Sequence, residues 1–330
     1  MDHAHTATTQ QYFHPMTERI IVAGLFLMAV GLSPARGQGC SDAGVCTAGP
    51  IGELQLASDS TTDELRHFAR LTFSLAAGEQ STSIFQVVPE VNIGATDRLA
   101  FQLKVPYVSA SGELRSNSGM GDPVITATYA FMTKDAQRLD GLLGVKVPAN
   151  TADAKAEGRP LPMPYQTSLG TTDLLIGVNY RHKRFNAAVA YQHVLSQDNE
   201  NGFLRSAWHG SADSASAVGY FESYQLERAD DAVVRAQYAF PIGKLALQPG
   251  VLAIVHLAND TRGTGAEPPQ RVTIENSSGL TLNLTIDARY KFTEQWMVEL
   301  GYGSPLVVRE VRPDGLTRSM VLNLGLRFAF

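Results

Sequence analysis

Few residues in this 330-residue chain have types and spacings that could support covalent chemistry. Tyr191-Gln192-His193-Val194-Leu195-Ser196 offers a His and a Ser three apart, and a strand points such residues to opposite faces, so they do not form a nucleophile-base pair. Trp208-His209-Gly210-Ser211 has matched parity, but no evident carboxylate orients the His. Gly119-Met120-Gly121 is followed by neither a helix nor a Lys, so it is not a phosphate loop. The eight His residues are scattered without metal-ligand spacing. We therefore expect no enzyme activity, no cofactor and no metal. A lipid-modifying outer-membrane enzyme is the least favoured of three functional readings.

Cys40 and Cys46 are the two cysteines, with five residues between them. Residues 1–37 read as a secretory signal with an N-terminal extension before Met16: a charged start at Glu18-Arg19, an apolar run from Ile20 to Leu32, and small residues before a cleavage point after Gly37. The apolar run is too short for a membrane helix. In an exported, oxidising setting the two cysteines are expected to form one small disulfide. It would stiffen residues 38–64, a Gly/Ser/Thr-rich stretch read as a plug or periplasmic segment.

From about residue 65 to 330 the hydrophobic period is two. Leu280, Leu282, Leu284, Ile286 and Ala288 alternate with Thr281, Asn283, Thr285 and Asp287. Met320, Leu322, Leu324, Leu326, Phe328 and Phe330 alternate with a mixed set. The pattern predicts about twelve strands, near 66–76, 82–94, 98–109, 123–133, 139–148, 172–182, 185–195, 231–240, 245–257, 278–292, 296–304 and 317–330. Short turns alternate with long links at 110–122, 149–171, 196–230, 258–277 and 305–316. That is the plan of a membrane barrel. Charged residues, among them Arg70, Glu90, Lys104, Asp287, Arg289 and Glu299, all fall on the parity opposite the apolar one. Aromatic residues on the apolar parity cluster near strand ends, as interfacial girdles do. The fold class expected is therefore all-β: an antiparallel transmembrane β-barrel behind a cleaved signal peptide, placed in the outer membrane of a Gram-negative-type bacterium.

On these faces Asp122, Lys146 and Asp173 lie in the lumen on adjacent strands and form a charge cluster. It either pins strand register or selects permeants by charge. Glu90 with Lys104, and Arg289 with Glu299, are similar neighbouring-strand pairs. Pro106, Pro148 and Pro249 are expected to interrupt strands. Leu326, Phe328 and Phe330 form the kind of alternating, aromatic ending that the barrel-assembly machinery reads. The expected partners are outer-membrane lipid, that machinery and a small-molecule permeant. The net charge of -5 argues against nucleic acid.

Three motifs occur in order: Ser118-Gly119-Met120-Gly121-Asp122-Pro123, Gly144-Val145-Lys146-Val147-Pro148-Ala149-Asn150, and Gly170-Thr171-Thr172-Asp173 opening a strand. In this the chain resembles the outer-membrane family named for the meta-pathway of phenol degradation. Its patterns are a Gly-x-Gly-Asp opener, a Gly-x-Lys-x-Pro-x-Gly strand end and a Gly-Thr-Gly-Ser-Thr-Asp opener. The chain departs from them at Asn150, where Gly is usual, and in Leu169-Gly170-Thr171-Thr172. The resemblance covers about residues 98–195. It implies a passive uptake channel for aromatic or other hydrophobic small molecules. A barrel that does not transport, serving envelope structure or surface binding, is the second reading.

Overall fold

The computed structural model describes residues 67–316 and 320–330. The strands are β1 (Phe68–Ala77), β2 (Ser83–Gly94), β3 (Leu99–Lys104 and Tyr107–Ser111), β4 (Ser116–Met120 and Val124–Lys134) and β5 (Gln137–Lys146). They continue with β6 (Thr171–His182), β7 (Phe185–Gln197), β8 (Asp231–Tyr238 and Phe240–Ile242), β9 (Leu245–His256), β10 (Gly279–Lys291), β11 (Trp296–Val307) and β12 (Met320–Ala329). Each strand pairs antiparallel with its neighbours in sequence, and β1 pairs with β12 from Phe68↔Ala329 to Ala77↔Met320. The sheet is thus a closed barrel of twelve strands.

The alternation reads directly onto the two faces. Asn283 is 1% exposed and its neighbour Leu284 is 46% exposed. Leu71, Phe73 and Leu75 point outward while Arg70 and Ser74 are buried. An apolar outside and a polar inside invert the soluble pattern, and only a surrounding hydrocarbon phase stabilises that inversion. The protein is an outer-membrane β-barrel. Exterior aromatic pairs ring the short-turn end: Tyr129 with Phe131, Tyr238 with Phe240, Tyr290 with Phe292, and Trp296 with Phe328, at centroid separations of 4.8–5.2 Å. Amphipathic and bulky rings at this level anchor the barrel where acyl chain gives way to headgroup.

The strand ends depart from expectation in three places. The link at 110–122 is mostly strand, because Ser116–Met120 pairs with Tyr107–Ser111 and leaves only a tight turn. Pro106 does break β3, and Pro148 lies beyond the end of β5. Pro249, however, stays inside β9 opposite Ile286 with no shift of register. Its ring faces outward, and a single missing N–H leaves the ladder aligned.

The long connections fold over one end of the barrel and pack on one another. Leu114, Leu161, Tyr165, Phe203, Trp208 and Tyr220 form a buried apolar cluster outside the sheet. Polar atoms inside it are paired: Trp208 Nε1 donates to the Pro160 carbonyl at 2.8 Å, and the Tyr165 and Tyr220 hydroxyls meet at 2.8 Å. Asn201 donates to the carbonyls of both Ala152 and Leu161 at 2.9 Å. Loops that cross-link at this density make a lid with its own core.

Candidate functional site

The lumen is layered, and the first layer lies toward the short-turn end. Arg70 on β1 reaches Glu90 on β2 at 2.7 Å and Glu299 on β11 at 3.0 Å. Lys104 on β3 lies 3.4 Å from Glu90, and Arg289 on β10 lies 3.6 Å from Glu299. Both of these last pairs stand directly opposite in register, as the alternation suggested. Gln102 adds a hydrogen bond to Glu90 at 2.8 Å. A second pair, Arg235 with Asp287 at 2.8 Å, joins β8 to β10, and Gln237 donates to the same carboxylate. These side chains are buried and paired, so the layer places several charges inside the lumen without leaving one bare.

Higher on the wall, β5 and β6 place Lys146 opposite Asp173. Their charged atoms are 2.7 Å apart, and Lys146 lies 3.6 Å from Asp122. Lys146 also donates to Thr171 at 3.1 Å. The three residues singled out as a charge cluster are therefore neighbours. Asp122 does more than balance charge. One oxygen accepts from the Ala149 N–H at 3.0 Å, the other from the Leu169 N–H at 3.1 Å. It ties both roots of the β5–β6 loop to β4.

That loop turns inward. Met163 and Pro164 from it meet Gly315 and Leu316 from the β11–β12 loop above the lumen. Gly315 has φ +68, and a Cβ there would lie 2.6 Å from the Met163 carbonyl carbon and closer still to the Pro164 nitrogen. The two loops touch backbone to backbone, which only glycine permits. Behind them a charge network binds three loops and the rim. Arg228 pairs with Asp231 at 2.9 Å and Asp314 at 3.3 Å, Arg309 pairs with Asp314, and His256 lies 2.7 Å from both Asp231 and Asp260. Burial alone would raise the Asp314 carboxyl, but Arg309 and Arg228 hold it below the usual range. Between lid and ionic layer lies a cavity of about 250 Å³. Its wall is apolar at Ile84, Val108, Val124, Leu252 and Val321 and polar along β10.

No protein-family model matches the chain, and no curated protein matches it in sequence. Solved structures do. The COG4313 outer membrane channel from Pseudomonas putida F1 is similar at 15% identity and a TM-score of 0.56, over 84% of this chain and 100% of that one. A FadL homologue from Pseudomonas aeruginosa (12%, TM-score 0.42, 90% and 100%) and the NanC porin (9%, 0.45, 80% and 100%) are more distant, and at such scores carry no argument. The first likeness supports the fold described above and says nothing of the permeant.

The other residues singled out in the sequence fall as follows on the barrel. Leu326 and Phe330 are exposed on the lipid face of the last strand's end, and Phe328 packs against Trp296. The signal, the 38–64 segment and Cys40 with Cys46 lie outside the described residues. Asp230 lies 2.8 Å from His193 Nδ1, a pairing the sequence pattern did not show. The Ser196 hydroxyl instead donates to Asp198 at 2.6 Å, and Ser211 donates to the Trp208 carbonyl at 2.7 Å. Neither serine meets a histidine in these bonds. Among the described residues no group of three or more His, Cys, Asp or Glu is set to hold a metal. The lid contacts were not found from sequence, whereas the polar face of β10 was, from the alternation of Thr281, Asn283, Thr285 and Asp287 with apolar residues.

Proposed function

We propose that the protein is an outer-membrane channel for small molecules, gated by its inward-folded loops. The observation that carries this reading is the cavity between the lid and the ion-paired layer. A barrel built only for structure gains nothing by keeping an interior space lined with both apolar and hydrogen-bonding groups. The resemblance to the meta-pathway family supports an aromatic or otherwise hydrophobic permeant, and the aliphatic patches of the cavity wall agree with that. In this reading the Asp122, Lys146 and Asp173 cluster is structural first: it fixes register and anchors the loop that closes the mouth. The last-strand residues Leu326, Phe328 and Phe330 serve recognition by the assembly machinery. The non-catalytic reading is supported by the bonds of Ser196 and Ser211, which turn both hydroxyls away from histidine.

A barrel that binds at its surface without transporting is favoured by one observation, the packed core of the lid. Planar-bilayer conductance of the purified protein, with proteoliposome swelling in solutes of graded size, separates the two. The channel reading expects flux above that of protein-free vesicles, rising when the lid is loosened. Absence of flux in both states would leave the surface-binding reading standing.

A further inference from the structure

His256 ends β9 and is buried at the rim of the barrel. Its two ring nitrogens each lie 2.7 Å from a carboxylate oxygen, Nδ1 from Asp231 Oδ1 and Nε2 from Asp260 Oδ1. An ionised carboxylate only accepts hydrogen bonds, whereas a neutral imidazole has one donating and one accepting nitrogen. Both contacts are hydrogen bonds only when the ring carries two protons. The carboxylates are also engaged as acceptors elsewhere: Asp260 Oδ1 accepts from the Ala229 N–H at 3.0 Å, and Asp231 Oδ2 from Arg228 at 2.9 Å. Charge gives the same answer. Buried together here are Arg228, Arg309 and the imidazolium against Asp231, Asp260 and Asp314, three against three. Taking one proton from His256 leaves three buried carboxylates to share two guanidinium groups.

The arrangement of the two arginines decides where that shortage falls. Arg228 reaches both Asp231 and Asp314 through the single nitrogen Nη2, and its Nε and Nη1 have no hydrogen-bond partner. Arg309 pairs with Asp314 through Nη2, while its Nη1 lies 3.8 Å from Asp260 Oδ2, an oxygen also without a hydrogen-bond partner. Each arginine therefore has a second carboxylate in reach, one that the imidazolium now helps to neutralise. With the ring neutral, Arg228 closes on Asp231, Arg309 closes on Asp260, and Asp314 is the carboxylate given up. Asp314 precedes Gly315, whose backbone touches Met163 and Pro164 above the lumen, and its Oδ1 accepts from the Leu316 N–H at 3.3 Å. Asp173 of β6, paired with Lys146, and Glu79 of the β1–β2 turn, paired with Arg312, also act on this cluster. Both keep cations of their own, so neither supplies the missing charge.

We propose that His256 is a proton-operated latch on the lid. Carrying two protons, it holds Asp314, Gly315 and Leu316 down on Met163 and Pro164; carrying one, it lets that segment go. The proposal rests on the channel reading for one point, that this contact closes the mouth. A closed state held by the protonated ring is favoured at low pH and is lost as pH rises through the titration of that ring.

The test follows planar-bilayer conductance of the whole protein from about pH 5 to about pH 9. Nitrogen NMR of protein labelled at its histidine rings counts the protons on His256, assigned as the signal missing from His256→Gln. Amide exchange at Leu316, corrected for the intrinsic rate, reports the latch without any current. The ring is expected to carry two protons at the acid end, and conductance to be several-fold higher at the alkaline end. Leu316 should lose protection over the same interval in which the ring loses its proton. His256→Gln, neutral at every pH, should conduct at the open level throughout. Glu79→Gln should keep the wild-type pH response, which separates this latch from the titration of Glu79. A ring with one proton at the acid end, current independent of pH, or a pH response retained in folded His256→Gln protein would overturn the proposal. If wild type is silent at every pH while Gly315→Ala conducts, the channel stands and the latch is overturned. If both are silent the channel reading falls, and the latch is supported when Leu316 exchange tracks the His256 titration and overturned when it does not. Where His256→Gln lacks heat-modifiable gel mobility, the wild-type NMR and exchange profiles decide.

Discussion

Lys146 Nζ lies 2.7 Å from a carboxylate oxygen of Asp173, and both side chains are sealed from solvent at 1% and 0% exposure. The two residues face each other across β5 and β6, 27 positions apart in the chain. Removing one partner of such a pair leaves an uncompensated buried charge, at a cost of about 3–5 kcal/mol. Lys146→Met is therefore expected to lower stability by about that much in urea unfolding from micelles. The double variant Lys146→Met with Asp173→Leu should recover most of it. Asp122→Asn should cost less than Lys146→Met, since its bonds to Ala149 and Leu169 lie at the loop roots.

Gly315 tests the lid. Alanine there drives a methyl group into the Met163–Pro164 backbone and strains a left-handed φ. Gly315→Ala is expected to lift the two loops apart and raise single-channel conductance several-fold over wild type, while the barrel keeps its heat-modifiable mobility. Unchanged conductance in the folded variant would show that the Met163–Gly315 contact is not the closure.

Arg70 tests the ionic layer. It bridges Glu90 and Glu299, and its loss removes the closest cation from both buried carboxylates, leaving Lys104 at 3.4 Å from Glu90 and Arg289 at 3.6 Å from Glu299. Arg70→Met should shift the reversal potential in a salt gradient toward cation selectivity. Arg70→Lys should shift it less, because an ammonium restores the charge but not the two-carboxylate fork.

The turn between β1 and β2 supplies a pH dependence. Burial pushes the Glu79 carboxyl up to about 7, outweighing Arg312 at 2.9 Å. A folded-state value above the ordinary 4.5 means that the closed turn binds the proton more tightly than the open one. Closure is then fully favoured below pH 4.5 and is lost as pH rises through 7, over a range worth about 3 kcal/mol. Protection of the Thr82 amide, corrected for intrinsic exchange, should fall between pH 5 and 8. Glu79→Gln should flatten that profile.

The lipid face can be checked independently. Leu324 is 49% exposed at mid-strand on the outer surface. Leu324→Lys should cost about 2–4 kcal/mol if it sits near the bilayer midplane. A spin label at Leu324 should report hydrocarbon, and one at Asn323 a polar interior.

The faces of the strands were legible because a β-strand has only two sides and the bilayer penalises the wrong one. Leu284 and Asn283 needed no tertiary information to be assigned. Glu90 with Lys104, and Lys146 with Asp173, followed because neighbouring strands in an up-and-down barrel are also neighbours in sequence. The strand at Ser116–Met120 was missed since Ser, Asn and Gly carry neither an apolar stripe nor strong strand preference. The lid was illegible for a different reason. Trp208 meets the Pro160 carbonyl 48 positions away, and Leu114 meets Tyr165 51 positions away, with no period to announce either contact.

The seam between β1 and β12 joins Phe68 to Ala329 and nine further pairs, all between the parts of the described chain that lie furthest apart. No intermediate length of polypeptide can make this join, so every earlier stage of synthesis carries two naked edges able to stick to other chains. Completion is consequently all-or-nothing. A variant that weakens only Met320–Ala329 should therefore bare both edges at once instead of loosening the wall by degrees.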